Sequence, residues 1–86
     1  MYSIIPHKKV IKFIGNRNKK DKLRIKKKFD QLMINPYPSN NEVDVKKMIN
    51  QKGFRLRIGD YRFLYDVVDE QLIIYMEDAD NRGDIY

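Results

Sequence analysis

Gly53-Phe54-Arg55-Leu56-Arg57-Ile58-Gly59-Asp60-Tyr61-Arg62-Phe63-Leu64-Tyr65 decides the fold. Phe54, Leu56 and Ile58 alternate with Arg55 and Arg57; beyond Gly59-Asp60, Tyr61, Phe63, Tyr65 and Val67 alternate with Arg62, Leu64 and Asp66. A period of two sends alternate side chains to opposite faces of a strand, and Gly-Asp between two such runs marks a two-residue hairpin. That turn pairs Ile58 with Tyr61, Arg57 with Arg62, Leu56 with Phe63 and Arg55 with Leu64. A second turn at Asp69-Glu70 leads into a third strand over Leu72 to Glu77. If that turn also has two residues, Phe63 pairs with Met76, Tyr65 with Ile74 and Arg62 with Glu77. One face of the meander is then wholly apolar, and the other carries Arg55, Arg57 and Arg62.

Upstream the period lengthens. Tyr2, Ile4 and Ile5 give a short β-prone opening that Pro6 stops, and Val10, Phe13 and Ile14 then recur at helical spacing. A second helix, capped by Asp21, carries Ile25, Phe29, Leu32 and Met33 on one stripe and ends at Asn35 before Pro36. After the loop of Pro36 to Asn41 the chain leads through Val43, Val45 and Met48 toward Gly53. An N-terminal strand and an αα-hairpin packed on an antiparallel sheet make a two-layer α+β fold, with the second sheet face free of helices. Function is expected on that free face.

The chain of 86 residues has room for one small domain, spanning 1–86. Hydrophobic residues at 42% and charged residues at 35% argue against both disorder and a membrane protein. The longest apolar run is Leu72 to Met76, far short of the roughly 20 residues a bilayer span needs. With no cysteine, disulfides, thiolate metal sites and a cysteine nucleophile are excluded, and a cytoplasmic setting is expected. Residues 1–52 hold 14 Lys/Arg against 4 Asp/Glu, net +10, whereas 53–86 hold 4 Arg against 8 acids, net −4. Such a basic chain points to a polyanion, foremost nucleic acid. Lys22, Arg24, Lys26, Lys27 and Lys28 cover the wet side of the second helix, which reads equally as a solvated face or as a nucleic-acid patch.

Two readings of the arginine face stay open. Directly opposed Arg57 and Arg62 need an anion or an acid between them. Glu77 is the candidate acid for an arginine–carboxylate ladder; a phosphate cradle is the other reading, favoured because this half of the chain uses arginine without a single lysine. Arg82 and Tyr86 follow the last strand and add a cation and a phenol. Histidine occurs once, as His7, so no two-histidine ribonuclease site can be assembled, and His7 reads as a surface residue. Asp78, Asp80 and Asp84 loosely echo a calcium loop, but Arg82 stands where an oxygen ligand is needed. There is no glycine-rich nucleotide loop, and no cofactor is expected.

The arginine hairpin, followed by Asn81-Arg82-Gly83-Asp84-Ile85-Tyr86, resembles the RelE/ParE toxin superfamily of toxin–antitoxin systems. The resemblance covers the whole chain in element order and implies the RelE-like fold. RelE-type members are ribosome-dependent endoribonucleases that cut mRNA in the decoding site and so inhibit translation. By that resemblance Arg62 contacts the scissile phosphate, and Arg55 and Arg57 form the basic pair on the preceding strand. Arg82 stabilises or protonates the leaving group, and Tyr86 is the base for the 2′-hydroxyl. Asn81 departs from the histidine many relatives carry there. ParE-type members share the fold yet inhibit DNA gyrase and generally lack the arginine-and-tyrosine set; a non-catalytic nucleic-acid-binding module is a third possibility.

The implied chemistry is coherent. Attack of a 2′-hydroxyl on its own phosphate builds charge on nonbridging oxygens, which arginines stabilise. Tyrosine, with a pKa of about 10, is a weak base that needs neighbouring cations. A ribosome that positions the mRNA supplies the orientation. The expected partners are therefore mRNA, the ribosome and a cognate RelB-like antitoxin. Leu64, Ile73 and Tyr75 are expected to form an apolar patch beside the arginines, covered by an acidic amphipathic segment of that antitoxin or by the chain's own residues 79–86.

Overall fold

The computed structural model describes residues 1–81. Strand β1, Ser3–Pro6, ends at its proline, and His7 caps the next element with its Nδ1 accepting from the Lys9 amide at 3.1 Å. Helix α1, Lys8–Gly15, turns Val10 fully into the core. Asn18, not Asp21, caps helix α2, Lys19–Ile34: its Oδ1 accepts from the Asp21 amide at 2.8 Å. Asp21 instead lies in the first turn, where a carboxylate complements the positive end of the helix dipole. Ile25 and Leu32 are buried, Phe29 packs beside them, and the helix ends at Asn35 before Pro36 as expected.

Strands β2 (Asp44–Lys47), β3 (Phe54–Ile58), β4 (Tyr61–Val68) and β5 (Ile73–Asn81) join β1 in one five-stranded sheet of order β1-β5-β4-β3-β2. Two helices on one face complete the expected two-layer α+β fold, with two additions. The approach to Gly53 is itself a strand, β2, antiparallel to β3, and β1 runs parallel to β5, so the sheet is mixed. The core of Val10, Ile25, Leu32, Leu56, Phe63, Ile74 and Met76 lies between the layers. Gly53 is required where β3 begins: its φ is +106°, and a Cβ there would stand 2.6 Å from the Tyr65 carbonyl oxygen.

The β3–β4 pairing matches the expectation residue for residue, including Arg57 against Arg62. The β4–β5 pairing does not. The connection has four residues, a 3₁₀ turn at Asp69–Gln71 and Leu72 in the left-handed region at φ 54°, so Val68 pairs with Ile73. Tyr65 therefore faces Met76 rather than Ile74. A bulge then follows: Tyr65 faces Met76 but Leu64 faces Asp78, leaving Glu77 as the extra residue. Phe63 faces Ala79 rather than Met76, and Arg62 faces Asp80 rather than Glu77. Without the bulge, Asp78 would pair with Phe63 on the core face, where an unpaired carboxylate is costly. The one-residue slip puts the small Ala79 under the helices and turns Asp78 and Asp80 to the free face.

Asp69 ties three segments together. Its carboxylate accepts from the hydroxyls of Tyr2 at 2.6 Å and Tyr37 at 2.6 and 2.7 Å, joining the start of β1, the loop after α2 and the β4–β5 turn. The bond from Tyr2, then that from Tyr37, lowers the Asp69 pKa, and the same carboxylate raises that of Tyr2. A depressed folded-state pKa contributes stability that is present above the unfolded carboxylate value of about 4 and is lost as pH falls through the folded value. Asp69→Asn should therefore melt lower than the wild type at pH 7, with a smaller difference at pH 3, where the unfolded carboxyl is largely protonated. A melting difference that stays the same at both pH values would refute the linkage.

Candidate functional site

The strand register puts Arg55, Arg57 and Arg62 together on the helix-free face, as the alternation predicts, and β2 adds Asp44 opposite Arg57 and Lys46 opposite Arg55. Each arginine meets an aspartate. Asp44 bridges two of them, its Oδ1 3.4 Å from Arg55 Nη2 and its Oδ2 3.2 Å from Arg57 Nε, while Asp80 Oδ2 lies 2.6 Å from Arg62 Nη2. The like-charge opposition of Arg57 and Arg62 is thus relieved by Asp44 and Asp80, not by Glu77. Both carboxylates escaped the sequence reading because each depends on a register not locally encoded, although Val43-Asp44-Val45 already alternates. Arg57 is half exposed, whereas the Arg55 side chain is 15% exposed, so the outer guanidinium is the accessible one. Arg82 and Tyr86 lie outside the described residues.

Two contiguous grooves cross the same face. The first, of about 480 Å³, runs along β1 and β5 and is lined by Ile5, Val68, Tyr75 and Glu77 among others. The second, of about 410 Å³, lies toward the β2–β3 loop and includes Lys9, Lys52, Leu64, Glu77 and Asp78. His7 lines both, a placement its sequence context did not suggest. Leu64, Ile73 and Tyr75 do not form one patch. Ile73 pairs with Val68, and Tyr75 sits with Ile5 and Val68 at the β1 side; Leu64 stands between Arg55 and Asp78. Asp66, paired across the strands with Tyr75 and 3.4 Å from Lys52 Nζ, separates the two groups.

At the turn end of the hairpin the Arg17 guanidinium lies over the rings of Phe13 and Tyr61, at 4.3 and 5.4 Å, and the Tyr61 hydroxyl donates to Asp21. Those contacts brace α1 and α2 against the arginine-bearing strands. On α2, Lys26 pairs with Asp30 at 2.9 Å and the half-buried Lys28 donates to the Glu42 carbonyl at 2.8 Å, so two of the cations of that helix have partners within the chain. Among the described residues no group of three His, Asp or Glu side chains is arranged to hold a metal ion. No described helix is long and apolar enough to cross a membrane.

The architecture has close counterparts. Over 95% of its length the chain superimposes on 96% of a chain of the archaeal RelE–RelB complex from Pyrococcus horikoshii, with a TM-score of 0.80 and 29% identity. A chain of the intact Escherichia coli RelBE toxin–antitoxin complex gives 0.77 at 17% identity over 94% and 96% of the two chains, and one from the Methanococcus jannaschii RelB–RelE complex gives 0.74 at 20% over 95% and 94%. No curated protein sequence matches the chain. The model of the family described as the ParE toxin of type II toxin–antitoxin systems matches residues 7–78, from the α1 cap to the bulge on β5. Sequence and fold agree on one superfamily, and the chain belongs to the ParE toxin family of the RelE/ParE superfamily, toxins of type II toxin–antitoxin systems.

Proposed function

We propose that this toxin is a ribosome-dependent endoribonuclease that cleaves mRNA in the decoding site and so inhibits translation. The observation that carries the reading is the clustering of Arg55, Arg57 and Arg62 on a helix-free face. Three guanidiniums on adjacent rigid strands are preorganised to stabilise the charge that develops on a phosphate when the neighbouring 2′-hydroxyl attacks it. Arg62 meets the scissile phosphate, and Arg55 and Arg57 hold the strand. Arg82 assists the leaving group and Tyr86 takes the 2′-hydroxyl proton, roles that rest on sequence resemblance. The histidine-poor acid–base set suits a reaction whose geometry the ribosome imposes. Action on translating ribosomes implies a cytoplasmic protein, and no cofactor enters the scheme.

The partner proposed is an antitoxin, since the similar structures named above are RelE–RelB complexes. Its apolar side chains would fill the groove of Ile5, Val68 and Tyr75, with Ile73 at its edge, while its carboxylates face the arginines and Leu64. A second reading, inhibition of DNA gyrase, is favoured by the ParE family match. Primer extension on mRNA recovered from an in vitro translation reaction, with a gyrase supercoiling assay alongside, separates the two: new 5′ ends within codons support the nuclease, and blocked supercoiling with intact mRNA supports the gyrase inhibitor.

A further inference from the structure

The three arginines are not bare cations. Asp44 spends one oxygen on Arg55 and the other on Arg57, and Asp80 lies against Arg62, so carboxylates stand where phosphate oxygens would bind. We infer that Asp44 and Asp80 are specificity-determining residues of the arginine site, built-in anions that only a strand with successive phosphates displaces. The inference rests on the phosphate-cradle reading and deepens it.

The geometry favours competition over mere positioning at Asp44, whereas the Asp80–Arg62 contact, at 2.6 Å, is as short as a strong charge-assisted bond and yields only to a ligand that also engages Arg55 and Arg57. The Asp44 contacts, at 3.2 and 3.4 Å, are long against the roughly 2.7–2.9 Å of a strong charge-assisted bond. Asp44 is also on the edge strand β2, with its side chain 44% exposed, so it can swing away without disturbing the core. Arg55 and Arg57 are held in line by β3, about 6.7 Å apart along the strand, whether or not Asp44 contacts them. A lone phosphate must displace a carboxylate for the contact of one or two guanidiniums. A strand that engages all three arginines displaces both carboxylates but gains several contacts, and it releases counterions as it binds. The aspartates therefore select against mononucleotides and inorganic phosphate.

The test uses the full-length toxin and a labelled 2′-O-methyl oligoribonucleotide, which lacks the attacking hydroxyl and stays intact. Asp44→Asn and Asp80→Asn are compared with the wild type and with Glu70→Gln, which removes one negative charge from the exposed β4–β5 turn away from the arginines. Each Asp variant should bind roughly three- to fivefold tighter, with a salt slope steeper by about 0.7 for each phosphate newly contacted. Inorganic phosphate should compete better against the Asp variants than against the wild type, and Glu70→Gln should stay within about twofold of it. Equal tightening in Glu70→Gln would reduce the effect to net charge; unchanged or weaker binding by both Asp variants would make the aspartates positioning groups. Either result overturns the inference. Tighter binding without mRNA cleavage by any form would retire the nuclease reading and leave this inference standing, whereas cleavage by the wild type without that tightening would do the reverse.

Discussion

Phe63→Ala should destabilise the toxin by about 3–5 kcal/mol, the range for removing a fully buried aromatic ring. Phe63 is 0% exposed at the centre of the sheet, between Leu56 on β3 and Ala79 on β5. Its ring meets Phe13 edge-on at 5.8 Å and Phe29 at 5.2 Å, so it contacts both helices at once. No neighbour can collapse into the space: Ala79 is small, and the rings of Phe13 and Phe29 are fixed on helices. A chain of 86 residues has a total stability of roughly 4–13 kcal/mol, so the loss is a large share of the whole. Urea unfolding monitored by circular dichroism measures it, and a loss below 1 kcal/mol would mean that the two layers are not held together through this ring.

Arg62→Ala should lower the rate of mRNA cleavage on ribosomes by about 10²–10³-fold, the effect of deleting one donor to a developing oxyanion. Arg62 is the central arginine, opposite Arg57 on one side and Asp80 on the other, on a strand paired along both edges. Its removal should also lower the melting temperature somewhat, because the Arg62–Asp80 contact, at 2.6 Å, is part-buried and Asp80 loses that partner. Arg62→Lys should recover only part of the rate, since an ammonium keeps the charge but loses the planar fork. Single-turnover cleavage with saturating toxin provides the measurement, and a wild-type rate in folded Arg62→Ala would remove Arg62 from the chemistry.

The arginine hairpin was legible because Gly59-Asp60 fixes the loop length, and a fixed length with period-two alternation fixes every pair from Ile58–Tyr61 to Arg55–Leu64. The next hairpin was not. Asp69-Glu70 resembles a two-residue turn, but the chain needs Gln71 and a left-handed Leu72 to reverse, and no local residue signals that an aliphatic side chain will adopt that conformation. The bulge at Glu77 is equally silent in the sequence: it answers a tertiary demand, that Asp78 and Asp80 avoid the core. From these two features follow the misassigned partner of Arg62 and the division of Leu64 from Tyr75. Strand β2 was missed because its four residues hold one buried apolar side chain, Val45, too short a pattern to mark a strand without the β3 edge beside it. Asn18 precedes two lysines rather than an apolar stripe, so Asp21 looked the better cap although the helix had already begun.

Ribosome dependence is measured most directly by incubating the toxin with one mRNA in two forms, free in buffer and engaged by translating ribosomes, and mapping 5′ ends by primer extension. The proposal predicts cuts within codons on the ribosome-bound message, suppressed in Arg62→Ala, with the free message left intact. Equal cutting of the free RNA, or an intact ribosome-bound message together with blocked gyrase supercoiling, would contradict it.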